Sequence, residues 1–208
     1  MFLLDNPQEL LFRIPALLLA ITFHEYAHAR VADYLGDPTP GYHGRLTLNP
    51  LKHLDPIGTL MLWIARFGWA KPVPINPMNF RGDRKRGIIM VSLAGVVTNL
   101  ILAFIAMVLL RFQWMYFLNE HLVRITIVTI QLNLILAVFN MVPIPPLDGS
   151  KVLAGFLPHK YDYIFAQLEQ YGPILLIILI FSGGIRSVLL PTVDFFFVFL
   201  QNIVFFSI

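Results

Sequence analysis

The stretch Thr22-Phe23-His24-Glu25-Tyr26-Ala27-His28 lies inside a long apolar run near the start of the chain. Its two histidines are four residues apart, so on a helix their side chains share one face and can bind one metal ion. Glu25 lies between them and is placed to accept a proton from water that the metal activates. An ordinary solvated helix surface is the alternative, but the apolar flanks disfavour it. The stretch therefore predicts a zinc site on a buried helix.

The composition is typical of helical membrane proteins. Of the 208 residues, 57% are hydrophobic and 13% are charged, and the mean hydropathy is +0.72. Several apolar runs approach the ~20 residues that are needed to cross ~30 Å of hydrocarbon. The net charge is only +3, so we expect the lipid bilayer and not a nucleic acid as a partner. The sequence has no cysteine, which excludes disulfides and thiolate metal ligands.

We therefore predict an all-α polytopic membrane protein, folded as a single membrane-embedded domain over residues 1–208. A three-helix catalytic core is followed by additional C-terminal membrane helices. The predicted segments are the first helix, the loops after it, the second span, the third span with its Asp-Gly motif and the C-terminal helices, over residues 7–35, 36–86, 87–110, 123–149 and 150–208. Asn6 and Pro7 are expected to start the first helix. The number of spans after residue 150 is left open.

The loop after the first helix has a different character. Its apolar pieces are short and are interrupted by Gly, Pro, Asn and Asp, and the piece over 57–67 is too short to span a membrane. The alternation in Arg45-Leu46-Thr47-Leu48 favours a strand. Irregular backbone is tolerated at membrane depth only where protein or a wet cavity covers it. We therefore expect a small re-entrant or β-hairpin loop beside the metal site.

Basic residues indicate the orientation in the membrane. The loop over 66–86 contains six basic residues against a single acid: Arg66, Lys71, Arg81, Arg84, Lys85 and Arg86. The positive-inside rule places this loop in the cytoplasm. The first helix then runs from outside to inside, which puts His24 and His28 in the cytoplasmic half of the bilayer. Trp114, Tyr116 and Phe117 are expected to form an aromatic belt on the external side.

A catalytic zinc site needs a third protein ligand and an open position. The candidates are the remaining histidines and a few acids, chiefly His43, His53, His121, His159, Asp148 and Asp194. Depth favours Asp148, because the third span enters from outside and ends at the level of His24. A helix N-cap is the alternative role for Asp148. His53 remains a rival ligand, whereas His43 is expected to be a loop residue without a catalytic part.

Three motifs, in this order along the chain, resemble the site-2 protease family of intramembrane zinc metalloproteases. They are His24-Glu25-x-x-His28, Ser92-x-x-Gly95-x-x-x-Asn99 and Asn140-x-x-Pro143-x-Pro145-x-Leu147-Asp148-Gly149. The resemblance covers roughly residues 10–155, and the last motif is long and specific. The proline that often follows the glycine of the second motif is absent, so Asn99 is expected only to pack against or line the site. An interhelical hydrogen bond is the alternative role for Asn99.

The resemblance implies one zinc ion per chain, held by His24, His28 and Asp148, with Glu25 as the catalytic base. It further implies that Asn140 and Pro143 bind substrate. The implied activity is hydrolysis of peptide bonds in or near transmembrane segments of membrane proteins, by a multi-pass protein of the cell membrane.

A helical substrate must unwind before its carbonyls can be attacked. A strand edge in the 44–55 region could hold it by strand addition. The alternatives are a membrane metal transporter and an inactive relative that binds membrane proteins. Transporters often show paired halves with broken helices, and the sequence has no convincing repeat of that kind. An adaptor protein or a homo-oligomer is left open.

Overall fold

The computed structural model describes residues 7–64, 68–112 and 119–206, and most of these residues are helical. The α-helices of the described residues are α1 (Pro7–Tyr34), α2 (Thr39–Tyr42), α3 (Pro56–Ile64), α4 (Arg84–Arg111), α5 (Glu120–Asn140), α6 (Asp148–Phe156), α7 (Asp162–Phe181) and α8 (Gly184–Phe206). Short 3-10 turns occupy Pro50–Lys52, Pro77–Asn79 and His159–Tyr161. The predicted cap Asn6, the loop residue Arg66 and the aromatic belt at Trp114, Tyr116 and Phe117 lie outside the described residues.

Five helices, α1, α4, α5, α7 and α8, are long and apolar enough to cross a membrane. They confirm the prediction of an all-α polytopic membrane protein, and both C-terminal segments meet the length requirement. The stretch after Asp148 begins with the separate short helix α6 before α7. At 9 residues, α3 is too short to span, as its sequence predicts.

Helix α4 lies at the centre of the bundle and packs against α1, α5, α6 and α8. Its N-terminal half faces α1 and α6, and its C-terminal half forms an apolar core with α5 and α8. That core consists of Ala103, Ala106, Met107, Ile130, Leu134, Val193, Leu200 and Val204. Small residues on α4 let neighbouring helices approach closely, which stabilises helix pairs within a bilayer.

Side-chain caps fix where the central helices begin. The Asp83 carboxylate accepts a hydrogen bond from the Arg86 N–H at 2.8 Å and starts α4. The Asn119 side chain accepts from the His121 N–H at 2.8 Å and starts α5. After Tyr34, Gly36 turns the chain with a φ of 102°, a left-handed conformation that glycine adopts without strain.

The β-hairpin prediction is wrong. Within the described residues between α1 and α4 there is no strand, and the only pairing of that kind is an isolated antiparallel bridge between Leu54 and Ala70. The alternating piece Arg45-Leu46-Thr47-Leu48 forms bends and irregular backbone. The proposed strand edge at 44–55 is therefore absent as well.

Hydrogen bonds from two buried side chains take the place of the expected hydrogen bonds between paired strands. Arg45 is 4% exposed and donates to the carbonyl oxygens of Lys52 and Lys71. His53 is fully buried, and its Nε2 donates to the Thr47 carbonyl oxygen at 2.8 Å. Alternation alone favoured a strand here, and it does not show which way the Arg45 side chain turns. Its guanidinium instead turns inward and satisfies backbone groups that a neighbouring strand would otherwise bind.

Asp37 ties the end of α1 to the segment before α4. Its side chain is fully buried and accepts hydrogen bonds from Thr39 Oγ1 at 2.5 Å, the Asn76 N–H at 2.7 Å and Asn79 Nδ2 at 2.8 Å. Burial acts to raise the pKa of the Asp37 carboxyl, but the hydrogen bonds from Thr39, Asn79 and Asn76 outweigh it and lower the pKa below its usual 3.8. Hydrogen bonds to a carboxylate are strong, so Asp37 is a structural anchor.

Replacing Asp37 by Asn should lower the free energy of unfolding by about 1–3 kcal/mol at pH 7, because hydrogen bonds to a charged acceptor are lost. The stabilisation is complete above the usual aspartate pKa and is lost as the pH falls through the lower pKa of the folded state. Denaturant unfolding in detergent, followed by circular dichroism, should therefore show a gap between Asp37→Asn and wild type that is constant above about pH 5 and narrows below about pH 4.

The control is Asp33→Asn, which removes an exposed pair with Arg30 and should cost less than about 1 kcal/mol. Equal losses for the two variants would contradict the anchor role of Asp37.

Candidate metal centre

Three buried ligand atoms meet where α1, α4 and α6 come together. His24 Nε2 lies 3.0 Å from His28 Nε2 and 3.2 Å from Asp148 Oδ2. His28 Nε2 lies 3.1 Å from the same carboxylate oxygen. The three residues are 6–7% exposed. Among the described residues, this is the one group of three or more such side chains close enough to hold a metal ion.

The far side of each imidazole fixes its tautomer. His28 Nδ1 lies 2.7 Å from the carbonyl oxygen of Val91, which can only accept, so Nδ1 carries the proton. His24 Nδ1 lies 3.1 Å from Asn99 Oδ1 and donates in the same way. In the neutral imidazoles, both Nε2 atoms are then unprotonated and can present lone pairs toward Asp148 Oδ2. Metal-binding histidines characteristically donate their second nitrogen to an oxygen in this manner.

The spacing of these atoms suits zinc. Corners of a tetrahedron lie about 3.3 Å apart when each bond to a central zinc is about 2.0 Å, and the observed separations are 3.0–3.2 Å. Lone pairs converging at this distance repel one another unless a cation lies between them. Two imidazoles with one carboxylate are also a donor set found in catalytic zinc sites. The residues therefore fit a zinc ion.

Glycines bring the helices close enough to form the centre. A Cβ atom on Gly95 of α4 would lie 2.5 Å from His24 Cε1 and 2.6 Å from His28 Nε2. A Cβ on Gly149 would lie 2.2 Å from the Met141 carbonyl oxygen, so the turn from α5 into α6 requires glycine after Asp148. The carboxylate thus enters the centre from the first turn of α6.

The second carboxylate oxygen of Asp148 faces a lysine. Lys151 Nζ lies 3.6 Å from Asp148 Oδ1, and its side chain is 47% exposed. The Oδ2 atom faces the histidines and Oδ1 faces the ammonium group, so the two oxygens have separate partners. This arrangement favours a carboxylate that offers one oxygen to a metal.

Glu25 borders the centre but is not one of its converging ligands. Its side chain is half-buried, and its Oε2 accepts a hydrogen bond from the backbone N–H of Val73 at 3.3 Å. The predicted substrate-binding residues lie just before Asp148. Asn140 ends α5 and donates from Nδ2 to the Leu136 carbonyl oxygen at 3.0 Å, and Pro143 is exposed.

The rival ligand His53 lies elsewhere, with Nε2 bound to Thr47. His43 is exposed at the end of α2. His121 stacks on Phe12 at the opposite end of the bundle from α6, and Asp194 is exposed on α8. None of these four belongs to the group that could hold a metal ion among the described residues.

Sequence reasoning anticipated one contact of the centre in part and missed two others. For Asn99 an interhelical hydrogen bond was the alternative to packing or lining the site, and its Oδ1 accepts such a bond from His24 Nδ1, but the partner was not identified. A fully buried asparagine in a membrane helix needs a hydrogen-bond partner, and that requirement was the available signal. The carbonyl of Val91 and the N–H of Val73 are backbone groups, which no residue type reveals.

Gly95→Ala tests the close approach of α4. The added methyl group would displace one or both imidazoles, so zinc affinity should fall at least 10-fold, within the 10- to 100-fold range seen when groups that orient metal ligands are changed. Competition with a chelating dye on the detergent-purified protein measures this. Val97→Ala is the matched control, because Val97 is 47% exposed on the same helix and its variant should bind zinc like wild type. Unchanged affinity in Gly95→Ala would contradict the described packing.

Comparisons with known proteins give relatives over most of the chain. “Putative zinc metalloprotease YwhC” of Bacillus subtilis is 41% identical over 189 residues, covering 88% of this chain and 86% of that protein. Proteins named “Putative zinc metalloprotease Rip2” are 30% identical in Mycolicibacterium smegmatis, covering 88% of this chain and 71% of that protein, and 31% identical in Mycobacterium tuberculosis, covering 82% and 66%. No family model matches the chain, and no solved structure does.

The identity to YwhC extends well beyond the three motifs and covers nearly the whole of both chains. Together with the five apolar helices, it shows a multi-pass membrane protein of the metalloprotease class. The chain belongs to the site-2 protease family of zinc metalloproteases.

Proposed function

We propose that this protein is an intramembrane zinc metalloendopeptidase, which hydrolyses peptide bonds in or near transmembrane segments of membrane protein substrates. The observation that carries the proposal is the triangle of His24, His28 and Asp148 ligand atoms, buried where α1 and α4, both of membrane-spanning length, meet the first turn of α6. The names of the relatives support the metalloprotease class. The position of the triangle within the bundle supports the intramembrane site.

The residues of the centre divide the chemistry between them. His24, His28 and Asp148 would hold the zinc ion, through the two Nε2 atoms and Oδ2. Zinc, when bound, supplies a Lewis acid that polarises a peptide carbonyl and makes water acidic enough to react near neutral pH. Glu25 accepts the proton of the attacking water and returns a proton to the leaving amine.

Depth and charge support a site in the cytoplasmic half of the cell membrane. His28 lies roughly 9 Å of helix before the end of α1, and the Arg81 N–H donates to the Leu35 carbonyl oxygen at 2.7 Å at that end. The basic group Arg81, Arg84, Lys85 and Arg86 is therefore at the same level as the end of α1. The positive-inside rule assigns this level to the cytoplasm.

The substrate is proposed to approach along the turn between α5 and α6. Pro143 is exposed there, and the prolines of this segment leave several backbone positions without an N–H. Backbone that is not helical can contact an unwound substrate, whereas a continuous helix uses its own hydrogen bonds. Asn140 and Pro143 border the carboxylate of Asp148 in sequence and are proposed to contact this unwound stretch.

The variants Glu25→Gln and Asp148→Ala distinguish the residue proposed to transfer protons from a residue proposed to bind zinc. Turnover of a transmembrane substrate by protein reconstituted in proteoliposomes should fall about 10²–10⁴-fold in Glu25→Gln, because the proton acceptor is lost, while zinc content stays at one per chain. Asp148→Ala should lose both zinc and turnover. Zinc is measured by elemental analysis and cleavage by mass spectrometry of the products.

Glu25→Gln that retains wild-type turnover would exclude the proposed role of Glu25. If the wild-type protein instead carried zinc across the vesicle membrane and Glu25→Gln did so equally well, the protein would be a metal transporter and the protease proposal would fail.

A further inference from the structure

Residues 71–76 form an extended strap beside α1, with the sequence Lys71-Pro72-Val73-Pro74-Ile75-Asn76. Hydrogen bonds attach both ends of the strap to the segment between α1 and α3. At one end the Lys71 N–H donates to the His53 carbonyl oxygen at 2.8 Å. At the other end the Asn76 N–H donates to Asp37 Oδ2 at 2.7 Å. The strap is therefore fixed on either side of its centre.

A buried charged side chain with several hydrogen bonds supports each end of the strap. Arg45, 4% exposed, donates to the Lys71 carbonyl oxygen at 3.3 Å and also to that of Lys52. Asp37 is fully buried and also binds Thr39 and Asn79. Moving either end of the strap would leave Arg45 or Asp37 buried with fewer hydrogen-bond partners, which costs free energy. The ends of the strap are therefore held firmly.

The centre of the strap meets the side chain of Glu25. The Val73 N–H donates to Glu25 Oε2 at 3.3 Å, and Val73 is itself buried. Pro72 and Pro74 have no N–H, so Val73 supplies the single donor of the Pro-Val-Pro unit. Pro74 also restricts Val73 to extended backbone. The sequence thus presents one backbone donor, at a fixed place, to one carboxylate.

We propose that the backbone N–H of Val73 positions Glu25 for its part in catalysis, and that Asp37 and Arg45 act on the site through the strap. The proposal rests on the role given to Glu25 in the proposed function. Fixing a glutamate side chain costs free energy, because the side chain loses rotamer freedom. A hydrogen bond to its charged carboxylate, made before substrate arrives, offsets that loss, and preorganised groups of this kind lower the barrier of the chemical step. Val73 is a positioning residue that does not itself touch the reacting atoms.

Val73→Pro tests the proposal because it removes the N–H while keeping an extended backbone. In proteoliposomes kcat should fall about 10- to 100-fold, the range expected for one hydrogen bond to a charged group. KM should stay within about twofold and zinc at one per chain, because neither depends on that N–H. Val73→Ala retains the N–H and should recover most of the lost kcat. A purely structural role would lower kcat through loss of folded protein, which zinc content and circular dichroism would reveal.

An observation of the contact itself does not depend on activity. In protein labelled with ¹⁵N-valine, the Val73 amide resonance is identified by its disappearance in Val73→Ala. Glu25→Ala should move this resonance upfield and speed its exchange with solvent, because the carboxylate acceptor is gone. If Val73→Pro does not fold, this measurement still shows whether the Val73 N–H binds Glu25, because Glu25→Ala leaves the strap intact.

The outcomes are distinct. Unchanged kcat in Val73→Pro overturns the proposal, and so does a higher kcat, which would mean that the contact restrains the base. A Val73 resonance that does not respond to Glu25→Ala overturns it too. Wild-type protein that binds zinc but cleaves no transmembrane substrate refutes the proposed function instead, and the resonance still reports whether the contact exists.

Discussion

Two imidazoles and a carboxylate meet inside an apolar helix bundle, and the rest of the structure depends on this meeting. Removing ionisable groups from water is costly unless opposite charge and hydrogen bonds compensate for it. The chain supplies the hydrogen bonds, with the Val91 carbonyl behind His28 and Asn99 behind His24. A zinc ion bound between the three ligands would supply the opposite charge. The elements that carry these groups can approach because Gly95 lies against both imidazoles and Gly149 lies against the Met141 carbonyl.

The region between α1 and α4 forms the second part of the architecture. Much of the backbone described there, outside α2, α3 and the short 3-10 turns, is irregular. Irregular backbone near a membrane needs cover from the protein itself. Asp37, Arg45 and His53 give that cover, since each is buried and bonded to backbone groups. The result is a firmly held segment whose extended part reaches the side chain of Glu25. In this protein the loop and the metal centre are joined at that residue.

Much of the centre follows from the sequence, because metal ligation needs particular side chains at particular spacings. His24 and His28 are four residues apart on a helix, and the depth of the third span favours Asp148. His53 remained a rival ligand until the fold placed its Nε2 against Thr47. The membrane helices follow from apolar length. The strand at residues 45–48 could not be rejected from alternation alone, because only the folded chain shows that Arg45 turns inward. Backbone groups such as the Val91 carbonyl and the Val73 N–H carry no signature in the residue type.

X-ray absorption at the zinc edge of the purified protein tests the central claim most directly. The account predicts one zinc per chain, with scattering from two imidazole rings, lighter oxygen or nitrogen donors in the remaining positions and no sulfur. A zinc ion surrounded by oxygen donors without imidazole scattering, or intact protein that takes up no zinc when it is supplied, would contradict the account.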